Sequence, residues 1–389
     1  MPADARAQPV LITREDDLAR AALRLTEARR IAVDLESNGM FAYRATACIV
    51  QIASEGDVIL VDALKTSLAP LAELMTSRAT EKIIHDVAFD ARILAEARVA
   101  LANVRDTSLA ARMLGRTATG LASLLDVELG VSIDKKMQQH DWSERPLTPS
   151  ALTYLAGDVA HLHALRDRLW TEVEERGIAD AVEEETRYRL AQAVAAAGTE
   201  DPRPPYVRLK GIERVPEAEL AILRHLAEIR ERHARDLDVP PYKVLAPDVL
   251  FAIARAKPTT LDELSQIKGA MSGRRARALA PDVLDAVAVG IEDVTIPDEE
   301  RVWFDKPRLA AGVARKRRAR EQRLTKWRKD EAKRRGVDEQ VVLPGHCLHD
   351  LADLAEVSLE AIAAVPGIGA FRVARDGAAL LTAIAEEGP

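Results

Sequence analysis

The sequence has little cysteine and no long apolar run, and each shortage excludes a class of protein. Its 389 residues include two cysteines, Cys48 and Cys347, too few for a disulfide framework and without zinc-site spacing. No eighteen apolar residues run together, and no apolar core follows a basic start at the N-terminus. We therefore expect a cytoplasmic protein that is neither exported nor inserted in a membrane, with no obligate protein partner.

Aromatic residues are also scarce, at 4% of the sequence, although hydrophobic residues reach 48%. The cores must therefore be built mainly from Leu, Ala, Val and Ile, which favours helices with a modest sheet. The length is sufficient for two or three domains.

The net charge of −7 argues against a uniformly basic surface of the kind that binds nucleic acid through counterion release. The charge is unevenly distributed, because residues 306–335 hold fourteen Lys or Arg against three acids. This run is either a local phosphate-binding surface or a solvated helix face.

Strand-like segments come first and helical patterns follow. IAVDLES, CIVQIAS, DVILVDAL and KIIHD are short β-type runs bounded by polar residues. Leu and Ala then recur at helical spacing over residues 107–114 and 150–169. This order predicts a mixed α/β domain.

The C-terminal half is helical and repeats itself. Three prolines in GTEDPRPPYVRLKG predict a linker, and beyond it a constant offset of 98 residues aligns Leu226 with Leu324 and Gly269 with Gly367. We predict a catalytic domain, a linker and two helical domains, at residues 1–196, 197–213, 214–292 and 300–389.

Two acids, Asp34 and Glu36, interrupt the first apolar strand. Residues two apart on a strand share a face, so both side chains can contribute to one site. Buried like charges cost several kcal/mol unless a cation or proton neutralises them. A metal site is one reading, and a hydrated strand end is the other.

Further acids follow, with Asp90 in HDVAFD and Asp158 in YLAGD. Tyr154 stands four residues before Asp158, which places the two side chains on one helix face. A phenol beside a metal-binding carboxylate can orient an attacking water.

VDLES, HDVAFD and YLAGD together resemble the three motifs of the DEDD exonuclease superfamily. The Tyr at the fourth position before the last Asp marks its Y branch. DTSLAARML and the DW..RPL element further resemble the ribonuclease D family, over residues 10–175. Leu35 and Ser37 depart from the family's usual DTEF, but both acids remain.

The resemblance implies a ribonuclease H-like exonuclease fold with a mixed sheet and a 3′–5′ exoribonuclease that releases nucleoside 5′-monophosphates. It implies two divalent cations, Mg²⁺ or Mn²⁺, since the ligands are all carboxylates. Asp34 would bridge the ions, Glu36 and Asp158 would complete one site, and Asp90 would support the other. Tyr154 would orient water. The substrate class implied is RNA with structured 3′ ends, such as tRNA precursors.

Other residues admit two interpretations each. Lys135, Lys136 and Arg145 fall where the family lines the path to the site, so phosphate contact is expected, with base stacking by Trp142. Trp142 is equally well a core residue, and His85 is more simply structural than functional. Asp106 and Asp141 match family positions, but a helix cap or a buried salt bridge explains both.

The two helical repeats resemble the HRDC domain (helicase and RNase D C-terminal). That resemblance implies all-α domains that bind nucleic acid or position the substrate without chemistry of their own. A DNA 3′ exonuclease on the same scaffold remains an alternative, because two-metal hydrolysis does not itself select for the 2′-hydroxyl. A non-catalytic RNA-binding protein is a further one.

Overall fold

A six-stranded mixed sheet organises the N-terminal part of the computed structural model, which describes residues 9–133, 136–304 and 310–385. The strands are β1 Val10–Ile12, β2 Arg30–Ser37, β3 Ala47–Ala53, β4 Val58–Asp62, β5 Glu81–Ile84 and β6 Val104–Asp106. Their order is β1-β4-β3-β2-β5-β6. The central strands β2, β3 and β4 run antiparallel, while β1, β5 and β6 each pair in parallel with a neighbour.

Strand β2 alternates between the core and a partly exposed face. Val33 and Leu35 are buried, whereas Asp34 and Glu36 are only partly so. Asp34 pairs with Gln51 on β3, and the register shifts after Glu36. Both acids therefore leave one face of the sheet at its centre, as their spacing predicts.

Eight helices of the described residues surround this sheet. They are α1 Glu15–Leu25, α2 Ala72–Thr76, α3 Val87–Glu96, α4 Thr107–Met113, α5 Leu121–Leu129, α6 Pro149–Ala160, α7 Leu162–Glu175 and α8 Ala179–Ala196. The helical spacing over residues 150–169 falls on two helices, because α6 ends at Ala160 and α7 begins at Leu162, with His161 between them.

The chain divides into two compact units. The first comprises residues 1–37, 47–198 and 309–389, and the second comprises residues 38–46 and 199–308. The second unit contains α9 Glu217–Asp236, α10 Pro247–Ala256, α11 Leu261–Ser265, α12 Gly273–Asp293 and α13 Asp298–Arg301. Its core includes Tyr206, fully buried within the stretch expected to be a linker. The Tyr206 hydroxyl donates to Glu300.

The second helical repeat belongs to the same unit as the sheet. Its helices are α14 Ala311–Arg335, α15 Glu339–Val342, α16 Gly345–Ala352, α17 Leu359–Ala363 and α18 Ala370–Ala385. His346 stacks on Tyr188 of α8 with ring centroids 3.7 Å apart. Gly367, at φ +81°, packs directly against these two rings, and a side chain at this position would clash because its Cβ would lie 2.5 Å from the His346 ring. Among the described residues, we find no helix both long and apolar enough to span a bilayer.

Candidate active site

Helix α6 carries Tyr154 and Asp158 over the sheet. Thr148 caps its first turn by accepting a hydrogen bond from the Ala151 amide, and Pro149 occupies the first turn, where no amide donor is needed. The helix packs against strands β2, β3 and β4. Asp158 consequently lies above the strand that carries Asp34 and Glu36.

Three carboxylates meet at this point. Asp34, Glu36 and Asp158 each offer an oxygen, and these oxygens all lie within 4.8 Å of one another. Asp90, on the first turn of α3, is buried, and the charges of Asp34 and Glu36 repel its ionised form. The structure thus brings together the four acids that the sequence predicts from three separate segments.

Burial raises the pKa values of all four acids, and repulsion by neighbouring acids adds to the rise at three of them. Burial raises the pKa of Asp34 to about 6, and burial with repulsion from Asp34 raises the pKa of Asp158 to about 8. The pKa of Glu36 rises to about 9, through burial and then through Asp34 and Asp158. Burial followed by repulsion from Asp34 and Glu36 also raises the pKa of Asp90 well above its usual range. Without a neutralising cation, the cluster therefore holds protons at neutral pH.

The cluster fits divalent cations. Carboxylate oxygens are the ligands that hard divalent ions prefer, and none of the four groups is a His or Cys. Gln51, opposite Asp34 on β3, supports the same conclusion: it is fully buried, yet neither polar atom of its amide has a hydrogen-bond partner among the described residues. A hydrated ion beside Asp34 would supply the partners that this amide lacks. Gln51 is not among the residues predicted from the sequence, although a polar residue in an apolar strand is a signal of such a site.

Asp106 positions the helix that carries Asp90. Its carboxylate accepts hydrogen bonds from the amides of Ser108 and Leu109, and so caps α4. It also accepts from the amides of Asp86 and Val87, at the start of α3. Of its two interpretations, the structure supports the cap. Asp141 likewise serves a local turn, accepting from the Ser143 amide at 3.0 Å.

Trp142 is a core residue, so of its two interpretations the structure favours packing over base stacking. Only 1% of its surface is exposed. Its ring stacks instead on Tyr154 with centroids 5.6 Å apart. The indole N–H has no partner in hydrogen-bonding geometry among the described residues. It nevertheless lies near the Glu36 carboxyl, where it lowers the pKa of that group and so offsets a small part of the rise. Trp142 therefore acts as the packing support for Tyr154.

Arg145 is held by other residues of the protein, which favours a structural role over the expected phosphate contact. Its guanidinium forms two 2.8 Å bonds to the buried carboxylate of Asp62 and donates to the Trp142 carbonyl. A bidentate buried pair of this kind leaves the arginine little capacity for a ligand. No local pattern predicts this pair, because 83 residues separate the partners.

Three further residues were predicted near the site: Lys135, Lys136 and His85. Lys136 is exposed, and Lys135 lies outside the described residues. His85 places Nδ1 2.9 Å from the Thr107 hydroxyl, and burial lowers its pKa. A neutral, hydrogen-bonded His85 agrees with the structural interpretation.

Comparisons with known proteins bear on both parts of the chain. A family model for the 3′-5′ exonuclease domain matches residues 9–174, and the HRDC domain model matches residues 219–287 and 317–384. Ribonuclease D of Nitrobacter hamburgensis is 30% identical over 287 residues, or 72% of this chain and 74% of the relative. Ribonuclease D of a Jannaschia species is 30% identical over 301 residues, or 75% and 76% of the two chains.

Solved structures share the fold. One is Escherichia coli RNase D, described as an exoribonuclease involved in structured RNA processing. It is 23% identical to this chain, with a TM-score of 0.67, and the match covers 98% of this chain and all of the E. coli chain. A protein from Bifidobacterium adolescentis has a TM-score of 0.74 at 21% identity over 98% of both chains. The expected fold class, an exonuclease domain with a mixed sheet followed by helical HRDC domains, is confirmed. By its relatives and its domain content, the chain belongs to the ribonuclease D family and is a 3′–5′ exoribonuclease.

Proposed function

We propose that this exoribonuclease trims the 3′ ends of structured RNAs, with tRNA precursors as the substrate class, and holds two divalent cations in the acid cluster. The observation that carries the proposal is the meeting of Asp34, Glu36 and Asp158 within 4.8 Å, beside the buried Asp90. Without bound cations, these acids would have to hold protons or repel one another, whereas divalent ions let all of them be ionised.

Each acid has a distinct role in this proposal. Asp34 would be a ligand shared by the two ions, Glu36 and Asp158 would hold one of them, and Asp90 would support the other directly or through water. When bound, paired Mg²⁺ or Mn²⁺ ions would supply electrostatic stabilisation to both the attacking and the leaving oxygen of an in-line displacement. The product is then a nucleoside 5′-monophosphate, with no covalent enzyme intermediate.

Tyr154 orients the attacking water together with Glu36. The phenol lies one helical turn before Asp158, and its ring is held against buried Trp142. A rigid backing of this kind fixes the direction of the hydroxyl, which is what a water-orienting group requires.

The choice of RNA rests on the relatives. Those reported above are ribonucleases D, and the E. coli protein is described as processing structured RNA. We extend that substrate class to this chain, with the HRDC domains as accessory binding modules.

The test is digestion of a tRNA precursor with a 3′ extension, with Mg²⁺, with Mn²⁺ and with EDTA. We expect nucleoside 5′-monophosphates to be released from the extension with metal and none with EDTA. Matched single-stranded RNA and DNA of one sequence are compared in parallel. Faster digestion of the DNA would favour the alternative of a DNA exonuclease, and no mononucleotide release with either metal would overturn the proposal.

A further inference from the structure

Helix α14 uses one set of its basic residues to hold the second helical domain together. Arg320 donates to the Leu354 carbonyl at 2.6 Å, and Arg323 donates to the Ala383 carbonyl at 2.8 Å. Arg335 pairs with the buried Asp376. Two of these arginines bind backbone carbonyl groups of neighbouring segments and the third forms an ion pair, so part of the basic run is structural.

A second set of basic residues lies on the opposite side of the helix. They follow one another at intervals of three, four or eight residues and are all exposed: Arg315, Arg318, Lys326, Lys329 and Lys333. At 100° per residue, this spacing keeps them within a narrow arc facing away from buried Leu324. We name these five residues the cationic stripe, and it is about 27 Å long at 1.5 Å per residue.

The lysines of the stripe are not neutralised by the protein. Within the described residues, Lys326, Lys329 and Lys333 form no ion pair or hydrogen bond through their side chains, and exposed Asp330 pairs with none of them. Like charges one turn apart destabilise a helix by a few tenths of a kcal/mol per pair. A row of such charges, in a protein of net charge −7, therefore points to an anionic ligand.

The composition of the stripe indicates which form of nucleic acid it fits. Sites for single strands combine a basic groove with aromatic rings on which bases stack. No aromatic residue lies on the stripe, since Trp327, the aromatic residue of α14, is on the side that packs against the domain core. Paired RNA, by contrast, is recognised through its phosphates and shape.

We propose that the cationic stripe binds the phosphate backbone of a base-paired RNA stem. The inference rests on the proposed function, because it takes RNA with a structured body as the substrate. It adds a second contact surface, on a helix that carries none of the four acids, which would favour RNAs that carry a stem beside the 3′ tail.

The test compares three variants of the full chain. The first is Lys326→Gln with Lys329→Gln and Lys333→Gln, which removes three charges but keeps good helix formers. The second replaces the same lysines with arginine. The matched control is Arg24→Gln with Lys65→Gln and Arg112→Gln, which removes three exposed charges outside α14. Thermal melting checks that each variant folds.

Binding is measured in EDTA, across a range of salt, to a hairpin RNA with a 3′ tail and to the tail alone. For the glutamine variant we expect at least about tenfold weaker hairpin binding at moderate salt, and a salt slope smaller by about one for each lysine removed. Tail binding, the arginine variant and the control should match the wild type. Unchanged hairpin affinity, equal losses on hairpin and tail, or an equal loss in the control would overturn the proposal.

Hydrolysis of the isolated tail with Mn²⁺ separates the two proposals. If the wild type releases mononucleotides from the tail while the glutamine variant binds the hairpin normally, the stripe fails and the proposed function stands. If hairpin binding depends on the lysines but the tail is not hydrolysed, the proposed function fails.

Discussion

The acid cluster and the cationic stripe are both collections of like charge, but they differ in burial. Asp90 and Asp158 are 8% exposed, and burial raises the pKa of every acid in the cluster. The lysines of the stripe are exposed to water. Buried like charges must be neutralised because they have lost their solvation, whereas exposed ones remain hydrated and are stable without a ligand. The cluster therefore needs protons or cations to neutralise it, whereas the stripe can stay charged in water without a ligand.

The largest effect should come from removing one acid of the cluster. Asp34→Asn or Asp158→Asn should lower the rate of RNA hydrolysis at least about a hundredfold, because a ligand to the ions is lost. The metal-free variants should melt no lower than the wild type, since one buried charge has gone. Hydrolysis of labelled single-stranded RNA with Mn²⁺ measures the rate, and full activity in either variant would contradict the assignment.

The next effect contrasts a buried arginine with an exposed lysine. Arg145→Met leaves the Asp62 carboxylate buried without its partner and should reduce the free energy of unfolding by about 3 kcal/mol. The matched control, Lys326→Gln on the stripe, should change it by less than about 0.5 kcal/mol. Urea unfolding measures both. A stable Arg145→Met variant with weakened RNA binding would restore the phosphate-contact interpretation.

Tyr154→Phe should have an intermediate effect on catalysis. The ring would still pack on Trp142, but without the hydroxyl the attacking water is less well directed, so kcat should fall about tenfold or somewhat more. KM should change little, because the phenol acts on the water and the fold is kept. Steady-state kinetics on a short RNA separate the two constants. An unchanged kcat would remove Tyr154 from the mechanism.

The smallest effect is on the pH dependence of stability in metal-free protein. The folded pKa values of Asp34, Asp158 and Glu36, about 6, 8 and 9, lie above their ordinary values of 3.8, 3.8 and 4.5. Carboxyls with raised pKa stabilise the fold fully below their unfolded pKa, and this contribution is lost as pH rises through the folded pKa. In EDTA, this contribution should therefore lower Tm from about pH 4 to about pH 9, where the last of the three acids ionises.

Two controls isolate the cluster as the cause of that fall. Saturating Mn²⁺ should reduce the decline, because bound ions favour the ionised acids. Asp158→Asn should decline less than the wild type in EDTA. Identical declines in both proteins, with and without metal, would show that other groups govern the pH dependence.

The sequence predicted the features that depend on local pattern. Strands around Asp34 and Glu36, the shared face of Tyr154 and Asp158, and the helical repeat all follow from spacing. The repeat is visible even in the backbone, since Gly269 and Gly367 have φ of +90° and +81°. Such conformations favour glycine wherever they occur.

Features set by distant partners could not be predicted. The short strands β1 and β6 exist because longer neighbours pair with them. Arg145 depends on Asp62 from another segment, and Trp142 depends on the helix that packs above it. Residues 38–46 belong to the same unit as the first helical repeat, and no local sequence pattern predicts this. The grouping depends on contacts between distant residues, such as the hydrogen bond from the Tyr43 hydroxyl to Glu231.

Titration calorimetry of the metal-free protein with Mn²⁺ tests the requirement for ions most directly. We predict saturable uptake of two ions by the wild type, with protons released near neutral pH, and greatly weakened uptake by Asp34→Asn. Buffers of different ionisation enthalpy measure the protons. Absence of Mn²⁺ uptake by the wild type, or equal uptake by Asp34→Asn, would contradict the account.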